Sequence, residues 1–208
     1  PVNTEHKKLR GERPPKEKVH ALWKHSRKLS ELDSNDKALH FLKSRNLDLD
    51  AVARSGVVRV TPQDRRLDWP SWWPYSVHGR AIEPVETGPK TLWPKGFEAK
   101  GLFMPNRFAV RMIRGQQCEL DGVLFVEGLT DFVKCSAEVE DLNLKLAVLG
   151  GTSGSFSAIS KLNIPKNIKV YVGTDADKQG REYANIIQLQ LPGTTTYRIP
   201  LEKFAGGS

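Results

Sequence analysis

Cysteine is nearly missing from this chain of 208 residues: Cys118 and Cys135 are the whole complement. Two thiols cannot complete a four-ligand zinc site, and the five histidines have no regular ligand spacing to supply the rest. The pair reads as free thiols of a reducing cytoplasm, not as a disulfide framework. Long apolar runs are also missing, so no segment is expected to cross a bilayer and no membrane partner is expected. Pro1 to Arg10 is charged with no apolar stretch behind it, so no secretory signal is expected. The opening proline and closing Ala205-Gly-Gly-Ser208 read as the ends of a piece of a longer protein. No internal repeat and no low-complexity tract is visible. What the chain does have is base: 32 Lys and Arg against 24 Asp and Glu, a net +8 that suits a nucleic-acid partner.

That charge is uneven. Residues 1–28 carry nine basic residues against three glutamates and show no sustained hydrophobic period before Val19-His-Ala-Leu-Trp23. They read as a flexible basic arm running into a short helix, either a solvated tail or a DNA contact. Ser34-Asn35-Asp36 offers an N-cap before Ala38, Leu39, Phe41 and Leu42, spaced for one helix face. Asp50 to Gly56 reads as a second short helix closed by glycine, and Val57 to Val60 as a strand. Thr61 to Tyr75 mixes three prolines with Trp69, Trp72, Trp73 and Tyr75, which predicts a packed loop with irregular strands; a strand resumes over 76–85. The aromatic cluster suits a packed core or, less naturally, stacking on single-stranded bases.

From Gly122 the pattern becomes regular. Strands are predicted at 123–126, 145–149, 168–172 and 195–199, alternating with helices near 129–138, 154–161 and 178–190. Such alternation builds a mainly parallel sheet through right-handed crossovers. The expected organisation is an arm (1–28), a mixed first subdomain (29–120), an α/β domain (121–200) and a tail (201–208), with a boundary near 115–121.

Two acidic clusters follow strands in that second half. Gly122-Val-Leu-Phe-Val-Glu127-Gly128-Leu-Thr-Asp131 places one carboxylate at a strand end and another in the first turn of a helix. Gly128 permits the tight turn and leaves room for a phosphate; the plainer alternative is a pair of helix N-terminal acids. Ile168-Lys-Val-Tyr-Val-Gly-Thr-Asp175-Ala-Asp177 directs two more carboxylates from a strand end. In a parallel sheet these ends face one crevice, and four carboxylates converging there repel one another unless a cation lies between them. Mg²⁺, which shares oxygen ligands with substrate phosphates, suits the site. A calcium loop of the EF-hand type needs glutamate at its twelfth position, where Ile186 stands. A sugar-nucleotide transferase uses Asp-x-Asp but has no need of the Glu127 motif, and an ordinary polar turn remains open. Gly150-Gly151-Thr152-Ser-Gly154 follows another strand and offers either backbone N–H groups to a phosphate or a plain loop; it lacks the Lys-Ser/Thr of a P-loop.

In this order the motifs resemble the Toprim domain of primases, topoisomerases and certain nucleases, and most of all the catalytic core of DnaG-type primases. Val126-Glu127-Gly128-Leu-Thr-Asp131 matches Val-Glu-Gly-x-x-Asp. Leu149-Gly150-Gly151-Thr152 matches Leu-Gly-Thr with one extra glycine. Asp175-Ala-Asp177-Lys-Gln-Gly180-Arg-Glu-Tyr-Ala184 matches Asp-Gly-Asp-x-Ala-Gly-x-x-Ala-Ala, departing at Ala176 and Gln179 but keeping both carboxylates. Fainter likeness upstream includes His78-Gly79-Arg80-Ala-Ile82 and Lys95-Gly96 through Lys100-Gly101-Leu-Phe103, so the resemblance spans roughly 36–200 and is strong over 121–185.

The resemblance implies an α/β Toprim fold, a mainly parallel sheet flanked by helices, behind a smaller mixed α+β subdomain. It implies a primase: metal-dependent synthesis of short primers from nucleoside triphosphates on single-stranded DNA, in a phage, mobile element or bacterial replicon. Asp175 and Asp177 would hold Mg²⁺ or Mn²⁺ with Asp131, while Glu127 binds metal or acts as general acid/base. Gly128, Gly150, Gly151, Thr152, Lys95 and Lys100 would meet phosphates or nucleotide, and Arg80, Arg107, Arg111 and Arg114 the nucleic acid. The family's zinc ribbon and helicase-binding domain have no counterpart here, so a zinc-binding module elsewhere in the parent protein or a replicative helicase joins the expected partners. Two other classes stay open: a Toprim nuclease or topoisomerase fragment, and a non-catalytic nucleic-acid-binding domain with a structural metal.

Overall fold

A computed structural model describes residues 14–61, 66–71, 76–82, 91–92, 101–152 and 155–199, with the backbone alone given for 66–71, 76–78 and 91–92. Lys16–His25 forms a helix, α1, with Val19 fully buried, where the basic arm is expected to run into a short helix. The chain behind it is tied down, since Arg27 exchanges two backbone hydrogen bonds with Val60 (2.8 and 2.9 Å). The sequence gives no sign of that tie, because it joins residues far apart in the chain. Residues 1–13 lie outside the described part.

Helices α2 (Lys37–Lys43) and α3 (Leu49–Ser55) start where the sequence offers caps. Asp36 accepts the Ala38 N–H at 2.8 Å and Asp48 the Ala51 N–H at 2.7 Å, and Gly56 closes α3 at φ 64°, the left-handed region. A small antiparallel sheet follows in the order β1 (Arg59–Val60), β2 (Arg66–Ser71), β3 (Ser76–Ala81), β4 (Thr91–Leu92). The proline- and tryptophan-bearing segment is thus partly regular. Pro70 stands beyond the reach of β1, which pairs only with Leu67 and Asp68, so it occupies an open edge where a missing donor is tolerated.

The larger sheet contains β5 (Phe103–Pro105), β6 (Gly122–Val126), β7 (Leu146–Gly151), β8 (Lys169–Gly173) and β9 (Thr195–Arg198) in the order β5-β7-β6-β8-β9. All its pairings are parallel except that of β5 with β7. Helices α4 (Arg107–Ile113), α5 (Leu129–Asp141) and α6 (Lys178–Gln190) flank it, with a 3-10 helix at Ser155–Lys161 where an α-helix is predicted. This is the expected mixed α/β architecture. Residues 103–113, expected in the first subdomain, join this sheet. Asn106 makes the junction: buried, it caps α4 by accepting the Ala109 N–H (2.9 Å), and bonds to Val148 N–H and Leu146 C=O on β7 at 3.1 and 3.0 Å.

One face of the sheet packs Leu124, Val126 and Val148 against Phe132, Val133 and Ala137 of α5, and through them against Leu42, Val52 and Val58 of the first half. The other face packs Phe103, Phe125, Leu149 and Val172 against Met112, Phe156 and Ile187. Both cysteines are free thiols, as expected. Among the described residues no helix is long and apolar enough to cross a membrane.

Candidate active site at the carboxyl ends of the parallel strands

β6 and β8 are parallel neighbours, with Val126 beside Gly173. Glu127-Gly128 and Thr174-Asp175-Ala176-Asp177 therefore leave the sheet side by side at its carboxyl edge, the place where open α/β sheets bind ligands. Two glycines bring the following helices close. Gly128 takes φ 144°, and a Cβ there would lie 2.8 Å from Asp131 Oδ2, so the Asp131 carboxylate folds back over the turn. Gly180 is tighter: a Cβ would stand 2.0 Å from the Asp175 carbonyl oxygen. The contact is fastened by Thr174 Oγ1 donating to the Gly180 carbonyl and by the Gly180 N–H donating to Asp177 Oδ1, both at 2.7 Å. Asp177 is thereby the N-cap of α6, with one carboxylate oxygen engaged. Two guanidiniums brace the same turn, Arg181 on the Ala176 carbonyl and Arg198 on that of Asp175.

The acids interact. Burial raises the Glu127 carboxyl above its ordinary pKa, and the neighbouring negative charge of Asp175, then of Asp177 and Asp131, adds to it; a hydrogen bond from the Asp175 backbone partly opposes the rise. Asp131 is raised as well, by burial and then by Asp175, against the pull of Lys134. Glu127 Oε2 is buried with no hydrogen-bond partner among the described residues. Among the described residues no three acidic, histidine or cysteine side chains close into an all-protein metal cage. Two residues of this region are missed by the sequence reading. The phenol of Tyr183 on α6 is raised by burial and then by Glu127, while its ring lies 4.4 Å from that of Phe156. Arg45, at the end of α2, lies near Arg80 of β3: the Arg80 pKa is lowered by burial and then by the Arg45 charge. Both line a small cleft with Leu129 and Thr130, beside the Glu127-Gly128 turn. Tyr183 could have been flagged by its place two turns into the helix after Asp-x-Asp; nothing local marks Arg45.

Other expected residues lie elsewhere or serve packing. Gly150 and Gly151 belong to β7, where a Cβ would meet Phe132 Cβ and the Met104 methyl at 2.7 and 2.8 Å, or the Phe156 ring at 2.5 Å. Close packing accounts for both glycines. Thr152 is buried, its N–H donating to Ser155 Oγ at 2.7 Å and its hydroxyl to the Leu102 carbonyl at 2.6 Å. Arg107, Arg111 and Arg114 follow β5 toward the amino ends of the parallel strands, away from the acids. Arg107 pairs there with Glu140, near the end of α5, at 2.8 Å, and Arg111 donates to the Gln117 carbonyl at 3.0 Å. Lys95, Lys100, Trp72, Trp73 and Tyr75 lie outside the described residues, as does the side chain of Trp69.

No family model and no curated protein matches the chain. Among solved structures it is similar over 93% of its length to a crystal structure of the Aquifex aeolicus primase comprising zinc-binding and RNA polymerase domains, at 16% identity and TM-score 0.56. It is also similar over 93% of its length to a structure of the DnaG primase catalytic domain bound to single-stranded DNA, at 16% identity and TM-score 0.57. The chain spans 57% of the first of these and 72% of the second. The likeness is one of fold.

Proposed function

We propose that this chain is the catalytic core of a DnaG-like, Toprim-type primase: a metal-dependent nucleotidyltransferase that makes short primers from nucleoside triphosphates on single-stranded DNA. The observation that carries the reading is the set Glu127, Asp131, Asp175 and Asp177 gathered at the carboxyl ends of β6 and β8, with Glu127 Oε2 buried and unpartnered. The similarity in fold to primase catalytic domains supports it.

The donor set fits a divalent cation. Crowded carboxylates raised by burial and by one another are relieved by positive charge. Mg²⁺ usually takes one or two carboxylates and completes its shell with water and substrate phosphates, which agrees with the open arrangement here. Asp175, Asp177 and Asp131 would hold Mg²⁺ or Mn²⁺, which when bound offsets charge on the transferring phosphoryl group and the leaving pyrophosphate. Glu127 offers its free oxygen to the cation or to the proton of the attacking 3′-hydroxyl, and its raised pKa suits the second role. Gly128 leaves the turn free of a side chain of its own, so that the Asp131 carboxylate folds over it toward the proposed metal. Arg80 and Arg45, flanking that turn, would hold backbone phosphates of the template. Lys95 and Lys100 stand as nucleotide contacts on the resemblance alone. A helicase, or a zinc-binding module elsewhere in the parent protein, belongs to the same reading.

The test is primer synthesis on single-stranded DNA with Mg²⁺ or Mn²⁺, comparing wild type with Asp175→Ala. Short products from wild type and a loss of at least about 100-fold in the variant, with an unchanged circular dichroism spectrum, are expected. Metal-dependent strand scission without synthesis would overturn the reading in favour of a nuclease. So would the absence of product when a primase zinc-binding module is supplied in trans.

A further inference from the structure

On the far side of the Asp175–Asp177 turn, α6 and β9 enclose a groove of about 260 Å³. Its polar lining is Arg181, Asn185 and Gln188 from α6, facing Thr196 and Arg198 from β9. Among the described residues no carboxylate lines it, so two cations share it although an acidic cluster lies one turn away. Each guanidinium directs one bond to the turn, at Ala176 and Asp175, and has further N–H groups to offer. Thr196 lines the groove, and its buried hydroxyl has no hydrogen-bond partner among the described residues. A buried hydroxyl without a partner is costly unless a ligand or water completes it. Among the described residues β9 is also the last strand of the sheet, with β8 on one side only.

We propose that this groove is a phosphate-binding site. Two guanidiniums, two amides and a hydroxyl form a donor-rich, acid-free lining of the kind that recognises phosphate oxygens. Its volume falls below the roughly 300–1,000 Å³ of pockets for drug-sized ligands, which suits a single phosphate with its sugar. A nucleic-acid backbone passing the acidic edge would place one phosphodiester there. The same chemistry would also hold the polyphosphate tail of a nucleotide. The phosphate assignment stands on the groove alone; only its connection to primer synthesis rests on the function proposed above. Because Arg181 and Arg198 hold the turn that carries Asp175, an occupied groove would bear directly on the acids through the backbone.

The test measures binding in EDTA, so that metal at the acidic cluster does not contribute. Asn185→Asp/Gln188→Glu puts two carboxylates into the groove at exposed helix positions that touch neither Asp175 nor Ala176. Arg198→Gln removes a cation and Arg198→Lys restores the charge. The probes are a labelled oligo-dT, followed by anisotropy across salt, and inorganic triphosphate, followed by calorimetry. A backbone site predicts oligonucleotide binding about tenfold weaker in the carboxylate variant. For Arg198→Gln it predicts a log K against log salt slope flatter by about one, recovered in Arg198→Lys. Weakening confined to triphosphate would assign the groove to the nucleotide instead. Unchanged affinity for both probes in folded carboxylate and Arg198→Gln variants would overturn the proposal. Loss of phosphate binding in a protein that makes no primers would leave the groove standing and remove the primase reading.

Discussion

Glu127 is a residue whose environment works against its own ionisation. Burial and the neighbouring aspartates raise its pKa, and Asp131 is raised in the same way. A carboxyl whose pKa is higher in the folded than in the unfolded state contributes stability below its ordinary range, and loses it as pH climbs through the raised value. At neutral pH the ionised cluster therefore subtracts from stability. Without divalent ions the melting temperature should rise as pH falls from neutral toward the carboxyl range. Glu127→Gln should flatten that dependence and raise the neutral-pH melting temperature. Mg²⁺ should stabilise wild type more than the variant. Scanning calorimetry with and without EDTA decides the matter, and a lower melting temperature for Glu127→Gln at neutral pH would refute it. The acids were legible because each follows an apolar run that can only be a strand. Arg45 was not, because the packing of α2 is what brings it near, and packing has no local signature.

At the scale of elements, the turn from β8 into α6 depends on one close approach. Gly180 lies in the first turn of α6, and a methyl group there would overlap the Asp175 backbone at 2.0, 2.7 and 2.8 Å from its O, C and N atoms. Gly180→Ala must push α6 outward or displace Asp175. Overpacking of this kind costs roughly 1–3 kcal/mol, and the displacement falls on a proposed metal ligand. The expected result is a modest drop in stability by urea unfolding with a much larger loss of primer synthesis. Activity near wild type would show that the turn tolerates a shift of α6. The strand-helix alternation after Gly122 was readable because β6 and β7 each present a continuous buried run and β8 one broken only at Tyr171. β5 and α4 were not readable: a three-residue edge strand is too short for any period, and its register is set by contacts of Asn106 with a strand some 40 residues away in sequence. Gly150 and Gly151 carry the complementary lesson. The sequence marks where side chains are excluded, but whether a ligand or Phe132 and Phe156 fills the space is decided by the fold.

At the scale of the molecule, a boundary near residue 115–121 does not divide the core. Leu42, Val52 and Val58 share one buried cluster with Leu124, Phe132, Val133 and Val148, and α3 is further tied to α5 by the Arg54–Asp141 pair at 2.8 Å. That exposed pair is worth at most about 1 kcal/mol, so the coupling rests on the apolar contacts. The expected consequence is a single cooperative unfolding transition, and the tryptophans allow it to be tested. All five, Trp23, Trp69, Trp72, Trp73 and Trp93, belong to the first half. The two longest helices, α5 and α6, belong to the second. Tryptophan fluorescence thus reports the first half and far-ultraviolet circular dichroism the helices of both, and their urea transitions should coincide. Leu42→Ala, far in sequence from every acid of the site but only 2% exposed within the shared cluster, should shift both probes together by about 2–5 kcal/mol. A dichroism transition that splits in two, with only one part following the fluorescence, would show two independent units. In that case the proximity of Arg45 and Arg80 to the acidic edge would depend on docking and would respond to ligand, whereas a single transition means that the fold itself holds those cations beside the site.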